Sequence, residues 1–296
     1  MSDIDLRRLS ADDDVAAVAV MRAAGRARDE QAGREPRPEP DAHTIERRHA
    51  LMRSFAAEDG PGCWVAVAGE EVVGLATSIR RRTLWGLSLL FVHPGHWSAG
   101  VGKRLLDSAL TYADGATTAM IQASDDPRAI RRYARAGFDL HPAFEAEGPV
   151  DRAALPAGVP GRDGTLTDLD LVEAVDGPLR FGSPRTGDVA AAVGPEWGCR
   201  LQVVDTASGR GFVVQRDGRL VMLGATDDAT ARALLWRAIA ATPQGEDFSV
   251  YGLTGAQRWA VDVALDARLR LGPCGPMFLR GDRPYPGPYA PSGLYF

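Results

Sequence analysis

The chain has 296 residues, 45% of them hydrophobic and 25% charged, which is the composition of a globular protein long enough for two domains. Its net charge of −5 excludes the basic surface that nucleic acids require, and no apolar run approaches the ~20 residues of a membrane span. The first residues lack a signal-peptide core, and Cys63, Cys199 and Cys274 form neither a metal-ligand spacing nor a disulfide framework. We therefore expect a cytoplasmic protein without a metal.

The first half of the sequence predicts a mixed order of strands and helices. Residues 4–9 alternate in the manner of a strand, and Ser10 is a candidate N-cap for the helix that follows. The polar, proline-rich stretch 29–42 predicts a surface loop. The other predicted elements are helix 15–24, helix 43–57, strands 64–68 and 72–79, a long strand ending at His93, a helix from Gly100 to near Gly115, strand 117–123, helix 126–136 and strand 138–145.

The segment 87–106, LSLLFVHPGHWSAGVGKRLL, is the most informative stretch of the sequence. An apolar run ends in a Pro-Gly turn, and a short loop with Gly100 and Gly102 leads directly into a helix. The first N–H groups of a helix lack intrahelical partners, and glycines let a backbone approach a pyrophosphate closely. Lys103, the only lysine in the chain, follows these glycines, although a single lysine in an arginine-rich protein must fall somewhere. The pattern predicts a site for a phosphate-bearing ligand.

The second half of the sequence is separated from the first by 148–164, GPVDRAALPAGVPGRDG, which has the composition of a linker. Its predicted elements are strands 200–206, 210–215 and 220–223, helix 226–241, strand 248–253 and helix 256–271. Because this order repeats the later part of the first half, we predict an internal duplication. The predicted fold class is α/β (α+β), with mixed sheets flanked by helices. The predicted domains are 1–147 and 165–296, the second a degenerate copy.

Two motifs of the first half resemble those of the GCN5-related N-acetyltransferases, the GNAT superfamily. The strand end Phe91-Val92-His93-Pro94 precedes WSAGVG at 97–102, where the family has Gln/Arg-x-x-Gly-x-Gly/Ala. The segment 126–138, DPRAIRRYARAGF, is similar to the family's Asn-x-x-Ala-x-x-Leu-Tyr-x-x-x-Gly-Phe. Both motifs are correctly spaced within residues 1–147. The whole chain resembles the tandem two-domain type of high-GC bacteria.

This resemblance implies an acetyl-CoA site and acetyl transfer to the primary amine of a small molecule by direct attack on the thioester. It implies that Tyr133 donates a proton to the departing thiolate, whose free pKa is near ~8.5. A helix aromatic packed under the sheet is the alternative explanation of Tyr133. Strand backbone would pair with the pantetheine arm, and loop N–H groups would hold the pyrophosphate. The implied coenzyme-binding residues are Leu90, Phe91, Val92, Ser98, Ala99, Gly100, Val101, Gly102, Lys103 and Asp126.

The sequence departs from the family pattern within both motifs. Trp97 stands where the family usually has Gln or Arg, and Ala99 where it commonly has a basic residue. Neither change removes a backbone donor, so we expect weaker coenzyme binding rather than none. Asp126 replaces an asparagine, and helix capping before Pro127 explains it most simply.

The general base is not evident from the sequence. Ile121 occupies the position where some relatives carry an acidic residue, and His93, which precedes a proline, is expected to be structural. A water chain is one source of the base. Another is the terminal carboxylate of Phe296, since the apolar end GPYAPSGLYF is similar to tails that fold back into the first domain's active site in some tandem relatives. A docked closing strand of the second domain is the alternative for this tail.

In the second half, the equivalent loop at 223–230, LGATDDAT, has no Gly-x-Gly and carries Asp227 and Asp228 where an anion would lie. We therefore expect this half to bind no coenzyme and to wall the acceptor cleft. The arginines at 80–82 would favour an anionic acceptor or form a solvated strand end. The alternative function is that of a non-catalytic acyl-CoA-binding or regulatory protein. No nucleic acid or membrane partner is expected, and the sequence is compatible with a homodimer.

Overall fold

A computed structural model of the protein describes residues 4–35, 38–281 and 288–295. Its contacts divide the chain into two units. The first comprises the described residues up to Arg80 together with Trp85–Ala116, and the second comprises Arg81–Leu84 and the described residues from Thr117 onward. This division by contacts differs from the domain division at 148–164, which stays a prediction.

The first unit contains a sheet whose strands follow the chain order. They are β1 (Ile4–Arg8), β2 (Trp64–Ala68), β3 (Glu71–Arg81) and β4 (Leu84–Val92). The pairs β1–β2 and β2–β3 are antiparallel. The helices of this unit are α1 (Asp14–Gln31), α2 (Ala42–Glu58) and α3 (Val101–Leu110).

Helix α1 is longer than its sequence pattern predicts and continues to Gln31, into the predicted surface loop. Arg26 and Glu30 form an ion pair one turn apart, and Asp29 is buried, so this polar stretch is held as helix. Helix α2 agrees with its prediction to within one residue at each end. The Asp41 carboxylate caps it by accepting from the Thr44 N–H at 2.6 Å.

Gly74 of β3 lets α3 pack closely on the sheet. A Cβ atom at this position would lie 3.0 Å from Cδ1 of Leu105 and 3.4 Å from Cγ1 of Val101. Val101, Leu105 and Ala109, which recur at the spacing of one helical face, form the buried face of α3. The isolated glycine in an apolar strand therefore determines how near the start of α3 comes to β3 and β4.

The second unit has a larger mixed sheet. Its strands are β5 (Thr118–Gln122), β6 (Asp139–Pro149), β7 (Arg162–Asp163), β8 (Arg200–Thr206), β9 (Gly209–Arg216), β10 (Arg219–Ala225), β11 (Asp247–Leu253), β12 (Arg270–Gly281) and β13 (Tyr289–Ala290). Its helices are α4 (Pro127–Arg135), α5 (Leu169–Leu179), α6 (Thr186–Val193), α7 (Asp228–Ala240) and α8 (Arg258–Asp266). The strand order is β5-β12-β6-β11-β10-β9-β8-β7, and β13 pairs with β10.

The order of elements from β1 to β6 is repeated from β7 to β12. Each series runs strand, two helices, three strands, helix, strand, helix, strand. The last strands of the two series are exchanged, because β12 lies between β5 and β6 while β6 lies between β12 and β11. The mixed α/β fold class is confirmed, and the repeated order is the duplication that the sequence predicts.

Strand β12 was not predicted, and β6 extends past its predicted end at 145 to Pro149. The sequence GPCGP at 272–276 has the signals of a loop, since proline lacks the N–H that a sheet needs. The structure accommodates these residues at a register shift between Cys274 and Met277 in the pairing with β6. Helices α5 and α6 were also not predicted from the sequence.

Candidate functional site

At the end of β4, the backbone N–H and C=O groups of successive residues point toward opposite edges of the strand. The Phe91 carbonyl lies 3.2 Å from the position of a Cβ atom on Gly74 of β3, and the His93 N–H donates to the Val73 carbonyl of β3 at 2.8 Å. Successive strand residues turn their N–H and C=O groups to opposite edges, so Leu90 and Val92 direct theirs away from β3. The prediction that Leu90, Phe91 and Val92 bind the coenzyme through their backbone stays a prediction. The Phe91 backbone faces β3.

Trp97 closes the turn that follows β4. Its indole N–H donates to the Val92 carbonyl at 2.7 Å, so this carbonyl already has a donor while the Val92 N–H still faces away from β3. The His93 imidazole accepts from the Gly95 N–H at 3.3 Å, which is a structural contact of the kind expected. Sequence reasoning did not find the role of Trp97, because nothing local shows that its indole bends back five residues.

The loop before α3 is held in an unusual backbone conformation. Ser98 has φ of 67° and Gly100, the N-cap of α3, has φ of 78°. The left-handed region costs a residue with a side chain roughly 1 kcal/mol, so strain is stored at Ser98 and avoided at Gly100. Gly100 has no side chain to cap the helix, and Ser98, Ala99 and Gly100 are exposed. The first N–H groups of α3, at Val101 and Gly102, thus begin a helix whose N-cap leaves the approach open.

Lys103 lies on the exposed side of the first turn of α3. Its ammonium pairs with Asp107 at 2.5 Å, one turn further along, and its side chain is 74% exposed. An exposed ion pair of this kind contributes little to stability, and the lysine can readily exchange its carboxylate partner for another anion. Arg104, the next residue, donates to the Ile4 carbonyl at 2.6 Å and anchors α3 to β1.

Asp126 caps α4 in the second unit, as the capping explanation predicts. Its carboxylate accepts from the Arg128 N–H at 2.8 Å and from the Arg128 guanidinium, also at 2.8 Å. Burial opposes ionisation of this carboxyl, but the hydrogen bonds from Arg128 outweigh it, and the pKa of Asp126 is lowered. A carboxylate that is satisfied in this way has a structural role sufficient to explain it.

Tyr133 lies on the buried face of α4. Its ring meets the ring of Phe278 on β12 edge to face, with centroids 5.5 Å apart and planes at 71°. Burial raises the pKa of Tyr133 to about 12, which makes this phenol a weaker acid than an exposed one. Tyr133 therefore has the packing of a core aromatic. Its predicted role as proton donor stays a prediction.

The edge of β10 in the second half is covered by the chain's own C-terminal segment, residues 288–295. Strand β13 pairs antiparallel with Leu223 and Gly224, and the Ala225 N–H donates to the Pro288 carbonyl at 3.0 Å. When the two repeated series are aligned at the ends of β4 and β10, Leu223, Gly224 and Ala225 correspond to Leu90, Phe91 and Val92. An extended peptide thus lies along the part of β10 that corresponds to the end of β4.

A buried ionic cluster anchors this C-terminal segment. The Arg185 guanidinium binds the Asp176 carboxylate at 2.6 Å and the Tyr289 hydroxyl at 3.2 Å, and Arg180 donates to the Tyr295 carbonyl at 3.2 Å. Arg180, Arg185 and Asp176 are fully buried. Burial alone would raise the pKa of Asp176, but the two guanidinium groups lower it. The covering of β10 is therefore a built feature of the second half.

The start of α7 in the second half also differs from that of α3. Its N-cap is Asp227, whose carboxylate accepts from the Thr230 N–H at 2.8 Å and from the Thr230 hydroxyl at 2.7 Å. These hydrogen bonds outweigh the opposing effect of burial and lower the pKa of Asp227. A negative charge thus already fills the position that an anionic ligand would need, as the sequence indicates.

The sequence suggests either an anion site or a solvated strand end for the arginines at 80–82. The Arg81 guanidinium binds the buried Asp188 carboxylate through contacts of 2.6 to 3.0 Å, and Arg82 pairs with Glu173 at 3.5 Å. These contacts lie within the second unit and give both side chains a structural role. Neither the anion site nor the solvated strand end describes Arg81, because its carboxylate partner is buried.

Three further predictions concern absences or residues at the chain end. Phe296, the predicted base, lies outside the described residues. The described residues contain no group of three or more His, Cys, Asp or Glu side chains placed to hold a metal ion. No helix in the described part of the chain has both the length and the apolar character needed to cross a membrane.

The chain is similar in sequence or fold to several known proteins. Residues 26–138 match the acetyltransferase (GNAT) family. No curated protein matches the chain significantly. A putative acetyltransferase from Pyrococcus horikoshii has a similar structure, with a TM-score of 0.78 and 15% identity over 99% of this chain and 96% of that one. A GCN5-related N-acetyltransferase from Sphaerobacter thermophilus aligns with a TM-score of 0.58 and 17% identity, covering 96% and 97% of the two chains. A tandem GNAT protein of the clavulanic acid biosynthesis pathway aligns with a TM-score of 0.59 and 17% identity, covering 95% and 99%.

The fold is that of a mixed α/β protein, and the family match in its first half is to acetyltransferases. Residues 26–138 match the acetyltransferase (GNAT) family, and over nearly its whole length the chain has a fold similar to that of a tandem GNAT protein. The family supports acetyl transfer as the general reaction.

Proposed function

We propose that the protein is an acetyl-CoA-dependent N-acetyltransferase that moves an acetyl group to the primary amine of a small molecule. The observation that carries this proposal is the open, strained loop at Ser98–Gly100, which leads into α3 from a strand end where the backbone groups of Leu90 and Val92 point away from β3. Bound acetyl-CoA would supply an activated acetyl thioester. Every other contribution comes from the residues of this chain.

The residues of the loop fit a diphosphate. Ser98, Ala99 and Gly100 are exposed, and a Cβ atom at Gly100 would have no atom of the surrounding structure within 4 Å. No carboxylate occurs from Trp97 to Lys103, in contrast to the Asp227 cap of α7. The N–H groups of Val101 and Gly102 would donate to the phosphate oxygens, and Lys103 would exchange its exposed Asp107 partner for them.

The second half supports the assignment of β4. Residues 288–290 lie along β10 as an extended amide chain and accept from the Ala225 N–H. In the repeated order Ala225 corresponds to Val92, so the Val92 N–H is the donor that a pantetheine amide would use. The same comparison supports the binding of one coenzyme molecule per chain, because in the second half the edge of β10 is covered and α7 begins with a carboxylate.

Tyr133 is the proposed hydrogen-bond donor to the departing thiolate. Its phenol stays protonated throughout the neutral range, since burial places its pKa at about 12. A buried donor need not transfer its proton fully to stabilise charge that develops on a nearby sulfur. Positioning of the amine against the thioester would supply most of the remaining rate.

The sequence provides two candidates for the base that removes the amine proton, the terminal carboxylate of Phe296 and a water chain. If the carboxylate of Phe296 acts, deletion of the last two residues should abolish turnover while acetyl-CoA binding persists. Full turnover after this deletion removes Phe296 from the mechanism. Because Arg180 donates to the Tyr295 carbonyl, a Phe296→Ala variant, which keeps Tyr295 and the terminal carboxylate, is the control for loss of packing.

The deciding experiment measures thiol release from acetyl-CoA over a panel of primary amines. Turnover with at least one amine, together with calorimetric binding of one coenzyme per chain, is the expected result. Absence of any binding of CoA thioesters would contradict the proposal at its foundation.

A non-catalytic acyl-CoA-binding protein is the second candidate. It is favoured by Trp97, which engages the Val92 carbonyl, and by the high pKa of Tyr133. Coenzyme binding without thiol release across the panel would select this candidate.

A further inference from the structure

A cavity of about 430 Å³ opens in the first unit between α1, α2 and the residues around Pro38 and Pro40. The side of α1 that faces it carries Arg22, Gly25, Arg26 and Asp29, which recur at the spacing of one helical face. Phe91 of β4 contributes to its wall. Because Phe91 adjoins Leu90 and Val92, the cavity neighbours the strand end that the proposed function assigns to the coenzyme. A volume of this size suits a small molecule.

Gly25 gives this cavity its depth on the α1 side. It lies in the interior of an 18-residue helix, where glycine costs about 1 kcal/mol relative to alanine. A Cβ atom there would meet no atom of the surrounding structure within 4 Å, so packing does not demand the glycine. Glycine at this position therefore destabilises the helix and is not required by packing of the core. It leaves open space in the cavity.

The charged lining of the cavity is mainly basic. Four arginines, Arg22, Arg26, Arg28 and Arg48, face two carboxylates, Asp29 and Glu39. Arg22 pairs with Glu39, and Arg28 lies 3.6 Å from Asp29, which is only 3% exposed. Arg26 also pairs with Glu30 outside the lining. The lining thus has a formal charge of +2 in a chain whose net charge is −5.

We propose that this cavity receives the acceptor and that the acceptor carries an anionic group, a carboxylate or a phosphate, besides its amine. Guanidinium groups bind both anions through paired hydrogen bonds, whereas a purely cationic amine would enter a lining of its own charge. The proposal rests on the proposed function for the role of the occupant. The binding it requires can be measured without turnover.

The test uses matched pairs of probes on the full-length protein. L-lysine is compared with cadaverine, L-tyrosine with tyramine, and phosphoethanolamine with ethanolamine, first by calorimetric binding in the presence of CoA and then by thiol release from acetyl-CoA. We expect the anionic member of at least one pair to bind and react at least 10-fold better. The first two pairs test carboxylates and the third tests phosphate.

Two variants assign the preference to the cavity. Gly25→Phe should fill it and reduce binding of the preferred probe by at least 10-fold with CoA affinity unchanged, whereas Gly25→Ala adds a single methyl and should retain most of the binding. Gly187→Phe, at a helical glycine of α6 whose Cβ direction is also open, is the matched control. Arg48→Gln should weaken the anionic probe by about 10- to 100-fold and leave binding of its partner without the anionic group unaffected.

The outcomes separate this proposal from the proposed function. Anion-dependent binding that Gly25→Phe abolishes, without thiol release, supports the cavity assignment and contradicts the enzyme. Turnover that is equal or better with the cationic member of every pair, or an unaltered preference in Gly25→Phe, overturns the cavity assignment and leaves the enzyme intact. Failure of every anionic probe to bind also overturns it.

Discussion

The ring of Tyr133 packs edge to face on the ring of Phe278, a residue 145 positions later in the chain. Phe278 belongs to β12, where it lies opposite Ile121 of β5 and Leu140 of β6. The side chain proposed to act on the sulfur is therefore held by a strand from the far end of the sequence. Substitutions in β12 that displace Phe278 should therefore disturb the position of Tyr133 and lower the proposed thiol-release activity.

Tyr133→Phe keeps the ring and removes only the hydroxyl. We expect kcat for thiol release to fall by at least about 10-fold, because a hydrogen-bond donor to the leaving group is lost, while acetyl-CoA affinity stays the same. Steady-state kinetics and calorimetry provide the two measurements. Tyr112→Phe, in the first unit, is the matched control and should retain the rate. An unchanged kcat in Tyr133→Phe would show that the ring is only a packing residue.

Tyr133 also predicts a loss of stability at alkaline pH. Its pKa is about 12 in the folded protein and near ~10 when unfolded, so the folded state holds the proton more tightly. The resulting stabilisation is complete below pH ~10 and is lost as the pH rises toward 12. Between these two pH values, the free energy of unfolding measured in urea should decline more steeply for the natural sequence than for Tyr133→Phe. Parallel declines would mean that another group controls alkaline stability.

Gly100→Ala should destabilise the protein by about 1 kcal/mol and weaken CoA binding. The reason is backbone strain rather than a clash, since φ is 78° and the Cβ direction is open. Gly25→Ala is the opposite control, because its helical backbone suits alanine and stability should rise by about 0.5–1 kcal/mol. Denaturant unfolding and calorimetry of the two variants check both signs. Equal effects at the two glycines would remove the argument for strain in the loop.

Lys103→Gln should leave thermal stability nearly unchanged, because the pair with Asp107 is exposed. CoA affinity should fall several-fold at low salt, and the difference should shrink at high ionic strength as screening weakens the contact of a charge with phosphate. Arg258→Gln on α8 removes a comparable exposed cation paired one turn away with Asp262. It should not alter CoA binding. A loss that is independent of salt would argue against a phosphate contact.

Asp176→Asn should destabilise the protein by about 3–5 kcal/mol, because it leaves the buried Arg180 and Arg185 without their carboxylate. Amide exchange at Tyr289 and Tyr295 should increase in the same variant, since these residues are held by the two arginines. The lowered pKa of Asp176 means that its stabilisation is present above pH ~4 and is lost as the pH falls through the folded value. Asp205→Asn, in an exposed pair with Arg210, is the control and should cost at most about 1 kcal/mol.

The sequence alone determined the elements whose signals are local. The strand, Pro-Gly turn, glycine loop and helix from Leu87 to Leu106 were predictable, because turns, caps and helical faces depend on residues a few positions apart. The Asp126 cap and the unsuitable start of α7 were predictable for the same reason. So was the repetition of the later part of the first half, from hairpin to helix, and with it the mixed α/β class.

Only the tertiary structure decided which distant segments meet. The pairing of β12 with β5 and β6 joins residues about 120 to 160 positions apart, and no local pattern encodes it, because GPCGP has the composition of a loop. The bond from Trp97 to the Val92 carbonyl, the burial of Asp176 between two arginines and the covering of β10 by residues 288–290 likewise depend on where the chain returns in space. Such contacts are settled by packing and burial over the whole fold, which the order of residues specifies only collectively.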